Sequence, residues 1–294
     1  MKNQIVLKNV IGVCLIMLMI VMMSGCGANK AVSKSGKRGI IFEYQMPASS
    51  VLKYSYVVDA IESAEVRKKK IDVNSKMDID FTINSSGYAD KLYNLSVNID
   101  AMTSELKYMG KEIDADMSSV IGKDFNMKLS SKGTNVDASE AAELKFDIAP
   151  GRTRDLVSSF KNLFPKLPDS RIKVGDSWKA SDTIMEKTGE GSVLIVINSV
   201  NTLQGFEEIN GKNCAKITAD FDGTIEGSGK EGDAELTTTG TLEGNDIWYF
   251  AHDEGVFVKL NTEGTATTMT IVKGEKKMEI PGTRRFTYHI MLVD

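Results

Sequence analysis

The sequence predicts a mainly β protein: large, twisted antiparallel sheets of long strands, with one short helix near the middle. Three observations carry this. Apolar and polar side chains alternate along segment after segment, clusters of Gly, Asn, Asp and Ser separate those segments, and a helical period occurs convincingly in one place only. With 41% hydrophobic residues the chain can bury a packed core, which sets it apart from a disordered tail.

The chain begins with a different kind of segment. Lys2 and Lys8, with no acid, precede fourteen consecutive apolar or glycine residues from Val10 to Met23, followed by Ser24, Gly25 and Cys26. As a helix that run would span about 21 Å, short of a hydrocarbon core of roughly 30 Å, so it suits the apolar region of a secretory signal peptide better than a spanning helix. The quartet Met23-Ser24-Gly25-Cys26 resembles the lipobox of bacterial lipoproteins, with Met where that family usually has Leu. The resemblance implies that residues 1–25 are removed and that Cys26 is the lipid attachment site and the first mature residue. It further implies a protein anchored to the cell membrane, and to the outer one if the source has two, because Gly27 rather than Asp follows the cysteine. An uncleaved membrane anchor is the alternative.

Residues 26–39 read as the lipidated cysteine and a flexible tether. Lys30, Lys34, Lys37 and Arg38 make the tether basic, a charge that favours anionic headgroups. Loss of Lys2 and Lys8 leaves 34 basic against 40 acidic residues, and the body from Ile40 to Asp294 carries a formal charge of −10. An acidic body with no basic face argues against a nucleic-acid partner. Cys14 lies in the removed segment and Cys26 would be acylated, so Cys214 has no intramolecular partner and reads as a core thiol.

In the body, Ile71, Val73, Met77, Ile79, Phe81 and Ile83 share one face of a strand over 70–84, broken only at Ser75. After "NSSGYADK" a second strand has Tyr93, Leu95, Val97, Ile99 and Ala101 on its apolar face, so the two form a hairpin. Shorter runs follow at 125–129, 144–148, 193–197, 215–225, 256–260 and 284–292. Over 153–164 the period changes: Leu156, Val157, Phe160, Leu163 and Phe164 form a stripe that Thr153 or Asp155 could cap and Pro165 stops, which predicts the helix. The helix and connector 151–171 divide the body into possible similar halves, 40–150 and 172–294.

The fifteen residues from Phe164 to Trp178 contain Phe-Pro and then Val-Gly-Asp-Ser-Trp. They are similar to a signature of uncharacterised extracytoplasmic lipoproteins, which implies an exported all-β protein and no particular chemistry. From the residues themselves, Gly175-Asp176 forms a tight turn with Trp178 packed beneath it.

No motif supplies catalysis. Gly227, Gly229 and Gly232 spell Gly-x-Gly-x-x-Gly but lie between strand-like runs and open no helix, so they read as a hairpin tip, not a dinucleotide site. His252 and His289 stand in no metal-ligand spacing, and the acids of 72–80 and 220–226 lack a calcium-loop pattern. No cofactor or metal is expected, and a hydrolase would need a nucleophile and base that the sequence does not present. The favoured reading is non-enzymatic: binding of a hydrophobic or lipid-like ligand, or of a partner protein, at the cell envelope. A purely structural envelope role is the alternative, and a hydrolase with an unrecognised site a more distant one. A wide sheet with one helix to cover it leaves room for an apolar cleft, with methionines 77, 102, 109, 117 and 127 as an adaptable wall. The candidate ligand-binding residues are the large side chains on the apolar faces: Phe81, Tyr93, Met127, Phe160 and Phe164.

Overall fold

The computed structural model describes residues 39 to 293 apart from 114, 135, 150, 151, 189, 190, 275 and 276. Cys26, the signal segment and the tether up to Arg38 lie outside the described residues. Strand accounts for 72% of the structure and helix for 4%, so the protein is all-β as its alternation predicts.

The chain first meanders outward through β1 (Val51–Val66), β2 (Lys69–Ala89) and β3 (Leu92–Tyr108), with the short β4 (Lys111–Ile113), β5 (Asp124–Ser130) and β6 (Val136–Asp137) following. A 3-10 turn (Ser139–Glu143), a small hairpin of β7 (Lys145–Ala149) and β8 (Arg152–Asp155), and the helix α1 (Val157–Lys161) make up the middle. A second meander follows: β9 (Ser177–Thr188), β10 (Gly191–Ile209), β11 (Lys212–Glu231), β12 (Ala234–Ala251), β13 (Val256–Lys273) and β14 (Met278–Leu292). The two meanders are one sheet, because β1 pairs antiparallel with β14 from Tyr54↔Leu292 to Ala64↔Gly282. The strand order is β6-β5-β3-β2-β1-β14-β13-β12-β11-β10-β9, with β4 beside β3.

Period-two patterning decides which face is covered. Ile71, Val73, Ile79, Phe81 and Ile83 of β2 are buried, while Lys76 and Asp78 pair at 2.8 Å on the outer face. The inner face is roofed by the segment from Gly39 to Pro47, whose Phe42, Tyr44 and Met46 are all buried, and by the insert between β5 and β9. The sheet curls as a half-barrel whose edge strands β6 and β9 do not pair. Helix α1 sits in the seam, touching β9 on one side and the 3-10 turn that packs on β5 on the other.

Two local expectations are corrected. The helix predicted over 153–164 is a single turn at Val157–Lys161, because Arg152–Asp155 instead pairs with β7, where the Thr153 hydroxyl donates to Asp147 at 2.7 Å. The stripe itself is buried as its spacing implies, at Leu156, Phe160, Leu163 and Phe164, but the strand pairing overrides its helical period. The turn expected across "NSSGYADK" narrows to Asp90-Lys91, both with positive φ as a two-residue hairpin loop requires. Residues up to Ala89 continue the strand past a bulge between Ser85 and Gly87. The glycine triplet is a hairpin tip as expected, with Gly227 and Gly229 in β11 and Gly232 in the turn to β12.

Candidate functional site: a pocket in the seam

A pocket of about 400 Å³ opens where the two sheet edges face each other across α1 and the residues that follow it. Its floor belongs to β10, β11 and β12, its near wall to edge strand β9, and its far rim to the β5–β6 loop at Gly133 and Thr134. Gly133 is required there: its φ is +70°, and a Cβ would stand 2.7 Å from the Pro165 carbonyl oxygen. That close approach brings the connector against the far edge, where the Tyr44 hydroxyl donates to the same Pro165 oxygen at 2.7 Å.

The floor combines aromatic and polar groups. Phe221 lies over Gly244, its cross-strand partner, where an added Cβ would be 2.3 Å from the ring. The Trp248 indole N–H donates to Asn201 Oδ1 at 3.3 Å, and Asn201 Nδ2 donates to Ser199 Oγ at 3.1 Å. Asp246 also lines the pocket, 3% exposed, and its Oδ1 has no hydrogen-bond partner. Burial pushes its carboxyl well above the ordinary value, and the nearby Asp220 adds to the rise. Thr262, paired with Asp246 across the β12–β13 ladder, is fully buried with an unpartnered Oγ1. Orphaned buried polar atoms are rare and each calls for an explanation.

The wall is held by the Phe-Pro to Ser-Trp stretch. Asp176 closes its turn by accepting from the Lys173 N–H at 2.8 Å, and Gly175 adopts φ +94°. Trp178 meets Trp248 edge-on at 5.9 Å and donates to the Lys166 carbonyl at 3.1 Å. Lys166 lies against β9, with its ammonium 2.6 Å from Asp182 and also donating to the Ser181 carbonyl. Beside it, Asn162 lines the pocket with an Nδ2 that is buried and unpartnered.

Of the residues expected to bind a ligand, only Phe164 lines this pocket. Phe81 stacks on Tyr54 at 5.5 Å and meets Phe160 edge-on at 5.0 Å; Phe160 in turn packs on Phe125 at 4.9 Å. Met127 is buried in the same core cluster. Tyr93 is half-buried, donates to the Tyr44 carbonyl at 2.9 Å and has its ring 4.7 Å from Tyr88, while Phe164 meets the Tyr44 ring at 5.3 Å. The structure thus brings Phe81 together with Phe160, and Tyr93 and Phe164 to Tyr44. Asp246, Asn201, Ser199, Trp248 and Asn162 were not legible as a set. The one usable signal was Asp246 itself, an acid at an inward position of β12 two residues before Trp248.

A second polar cluster lies inside the curl. Glu62 and Arg284 face each other across β1 and β14 at 3.5 Å, 2% and 1% exposed. Arg154 from β8 and Glu186 from β9 act on the same group, so two acids and two bases meet in the interior. Burial dominates for Glu62 and pushes it up to about 7 against the pull of Arg284 and Arg154. The hairpin β7–β8 carries Arg154 into this cluster, where it acts on both Glu186 and Glu62.

No family model matches the chain, and a comparison with characterised proteins returns no match. Among solved structures, an outer membrane channel from Pseudomonas putida F1 matches at 9% identity, over 87% of this chain and 99% of the other, with a TM-score of 0.19. OpdO from Pseudomonas aeruginosa matches at 6% identity over 84% and 99%, TM-score 0.23. The translocator domain of the autotransporter NalP from Neisseria meningitidis matches at 7% over 82% and 88%, TM-score 0.18. Likenesses this weak carry no argument about function. What the molecule offers is its own geometry.

Proposed function

We propose that the protein is an exported lipoprotein, acylated on Cys26 and held at the cell envelope, whose seam pocket binds a small amphipathic ligand without transforming it. One observation carries the binding reading: Asp246 and Asn162 present unpartnered, buried polar atoms on a single pocket that Phe164, Phe221 and Trp248 also line. Convergent polar groups beside aromatic side chains are a feature of small-molecule sites, and about 400 Å³ falls at the small end of such sites. The volume suits a compact ligand better than a whole phospholipid. Anchoring is proposed from the lipobox resemblance, since acyl chains at ~0.8 kcal/mol per CH₂ give stable attachment when more than one is present.

Both halves of the reading are testable. Labelled palmitate is expected in the wild type and not in Cys26→Ala; equal labelling of the two removes the anchor. For the pocket, Ala180→Trp on β9 fills the cavity from a half-exposed edge position. A small-molecule extract of the source is expected to raise the melting temperature of stripped wild type and leave that of Ala180→Trp unchanged. The same shift in both proteins would place any ligand elsewhere.

A further inference from the structure

The floor of the pocket is electrostatically one-sided. Among the described residues, the charged group that acts on Asp246 is another acid, Asp220. Two lysines line the wall: Lys166 is engaged by Asp182 and by the Ser181 carbonyl, and Lys161 stands exposed at the end of α1, away from the floor strands. The Thr262 hydroxyl, across the ladder from Asp246, is itself unpartnered and so makes no bond to it, and the floor residues are engaged elsewhere. Trp248 spends its single N–H on Asn201, Asn201 spends Nδ2 on Ser199, and Ala219, paired with Asp246 on the β11 side, brings only a methyl group. Rings flank the carboxylate, with Phe221 and Trp248 both lining the pocket.

A bare divalent ion does not suit this set. Hard cations take six or more oxygens, whereas the floor supplies one carboxylate, and no group of three His, Cys, Asp or Glu able to hold a metal occurs among the described residues. A protonated amine does suit it. It brings three donors and a positive charge to an acceptor that lacks both, and aromatic faces beside the charge add cation–π attraction. The terminal torsion of an aspartate is soft, so either oxygen can turn to the ligand.

We propose that the ligand of the seam pocket is a small primary amine whose ammonium group pairs with Asp246, with its apolar portion against Phe221 and Trp248. This rests on the pocket being the binding site. Any proton on the Asp246 carboxyl passes to bulk water as the ammonium arrives, so the complex holds a carboxylate–ammonium pair. No bond to carbon forms or breaks.

The probes are 2-phenylethylamine and its neutral counterpart 2-phenylethanol, titrated calorimetrically into the full-length chain in detergent. The amine is expected to bind about tenfold or more tightly than the alcohol, as a charge-assisted hydrogen bond in a desolvated site would give. Asp246→Asn is expected to remove that advantage, so that amine and alcohol bind the variant about equally. The wild-type comparison needs no variant, so it decides the matter even if Asp246→Asn folds poorly. Equal binding of amine and alcohol to the wild type overturns the amine assignment and leaves the pocket standing. Binding of neither probe at millimolar concentration overturns the assignment and the pocket reading together.

Discussion

Asp246 stands on the inner face of β12 where neighbouring strands put Ala219 and Thr262 beside it, and that placement has a thermodynamic sign. Its carboxyl keeps a proton in the folded state at pH values where the unfolded chain, with its ordinary value of 3.8, has released one. Stability from such a group is complete below 3.8 and is lost as pH rises through the folded value. Glu62 behaves alike between its ordinary 4.5 and about 7. Asp72, Asp116 and Asp137 are held below the ordinary value, chiefly by hydrogen bonds from Ser63, Ser118 and Ser139, so their contribution is lost as pH falls. The raised acids Asp246 and Glu62 therefore make stability decline as pH rises toward 8, and Asp246→Asn should flatten that decline. Melting temperatures across pH check this; a maximum at pH 8 would contradict it. Phe160 gives a second expectation. Its ring is wedged between Phe81 and Phe125, so Phe160→Ala should cost about 3–5 kcal/mol in denaturant unfolding, because the neighbouring rings cannot close the gap. A loss under 1 kcal/mol would mean that the site is looser than the ring contacts indicate.

Among the elements, the long strands were readable wherever the inner face is uniformly apolar, as in β2, β3 and β14. Strands β1 and β12 were not, for a physical reason. In β1 the inward position 62 is Glu and the outward position 61 is Ile, which is 55% exposed, so the alternation breaks on both faces. In β12 the inward series runs Leu236, Thr238, Gly240, Leu242, Gly244, Asp246, Trp248, and its polar and glycine members erase the period. The interior is polar or narrow at those places, and there the ion cluster and the pocket lie. Local pattern fails where tertiary chemistry sets the residue. The pocket was illegible for a related reason: its lining comes from the β5–β6 loop, the end of α1 and the connector after it, and five strands, and only the curl of the sheet brings them together. Gly244 links this to packing. A side chain there would collide with the Phe221 ring and the Glu263 carbonyl, both at 2.3 Å from an ideal Cβ, so Gly244→Val should destabilise by about 1–3 kcal/mol and lift Phe221 from the pocket floor. Unaltered stability would show that the sheet yields freely at that point.

For the whole molecule, the unpaired edges of a curled sheet create the functional opportunity. A closed barrel would have paired β6 with β9; here α1 and the connector fill the seam, and the pocket is the space they leave. Circular dichroism of the full chain should therefore show a β-dominated spectrum, with helix far below the roughly one third typical of globular domains. The central claim, that this seam holds a small molecule, is tested most directly by native mass spectrometry of the protein purified gently from its source. The account predicts a low-mass adduct on the wild type that is absent from Ala180→Trp purified in parallel. An adduct of equal abundance on both proteins, or a wild type that is consistently bare, would contradict it.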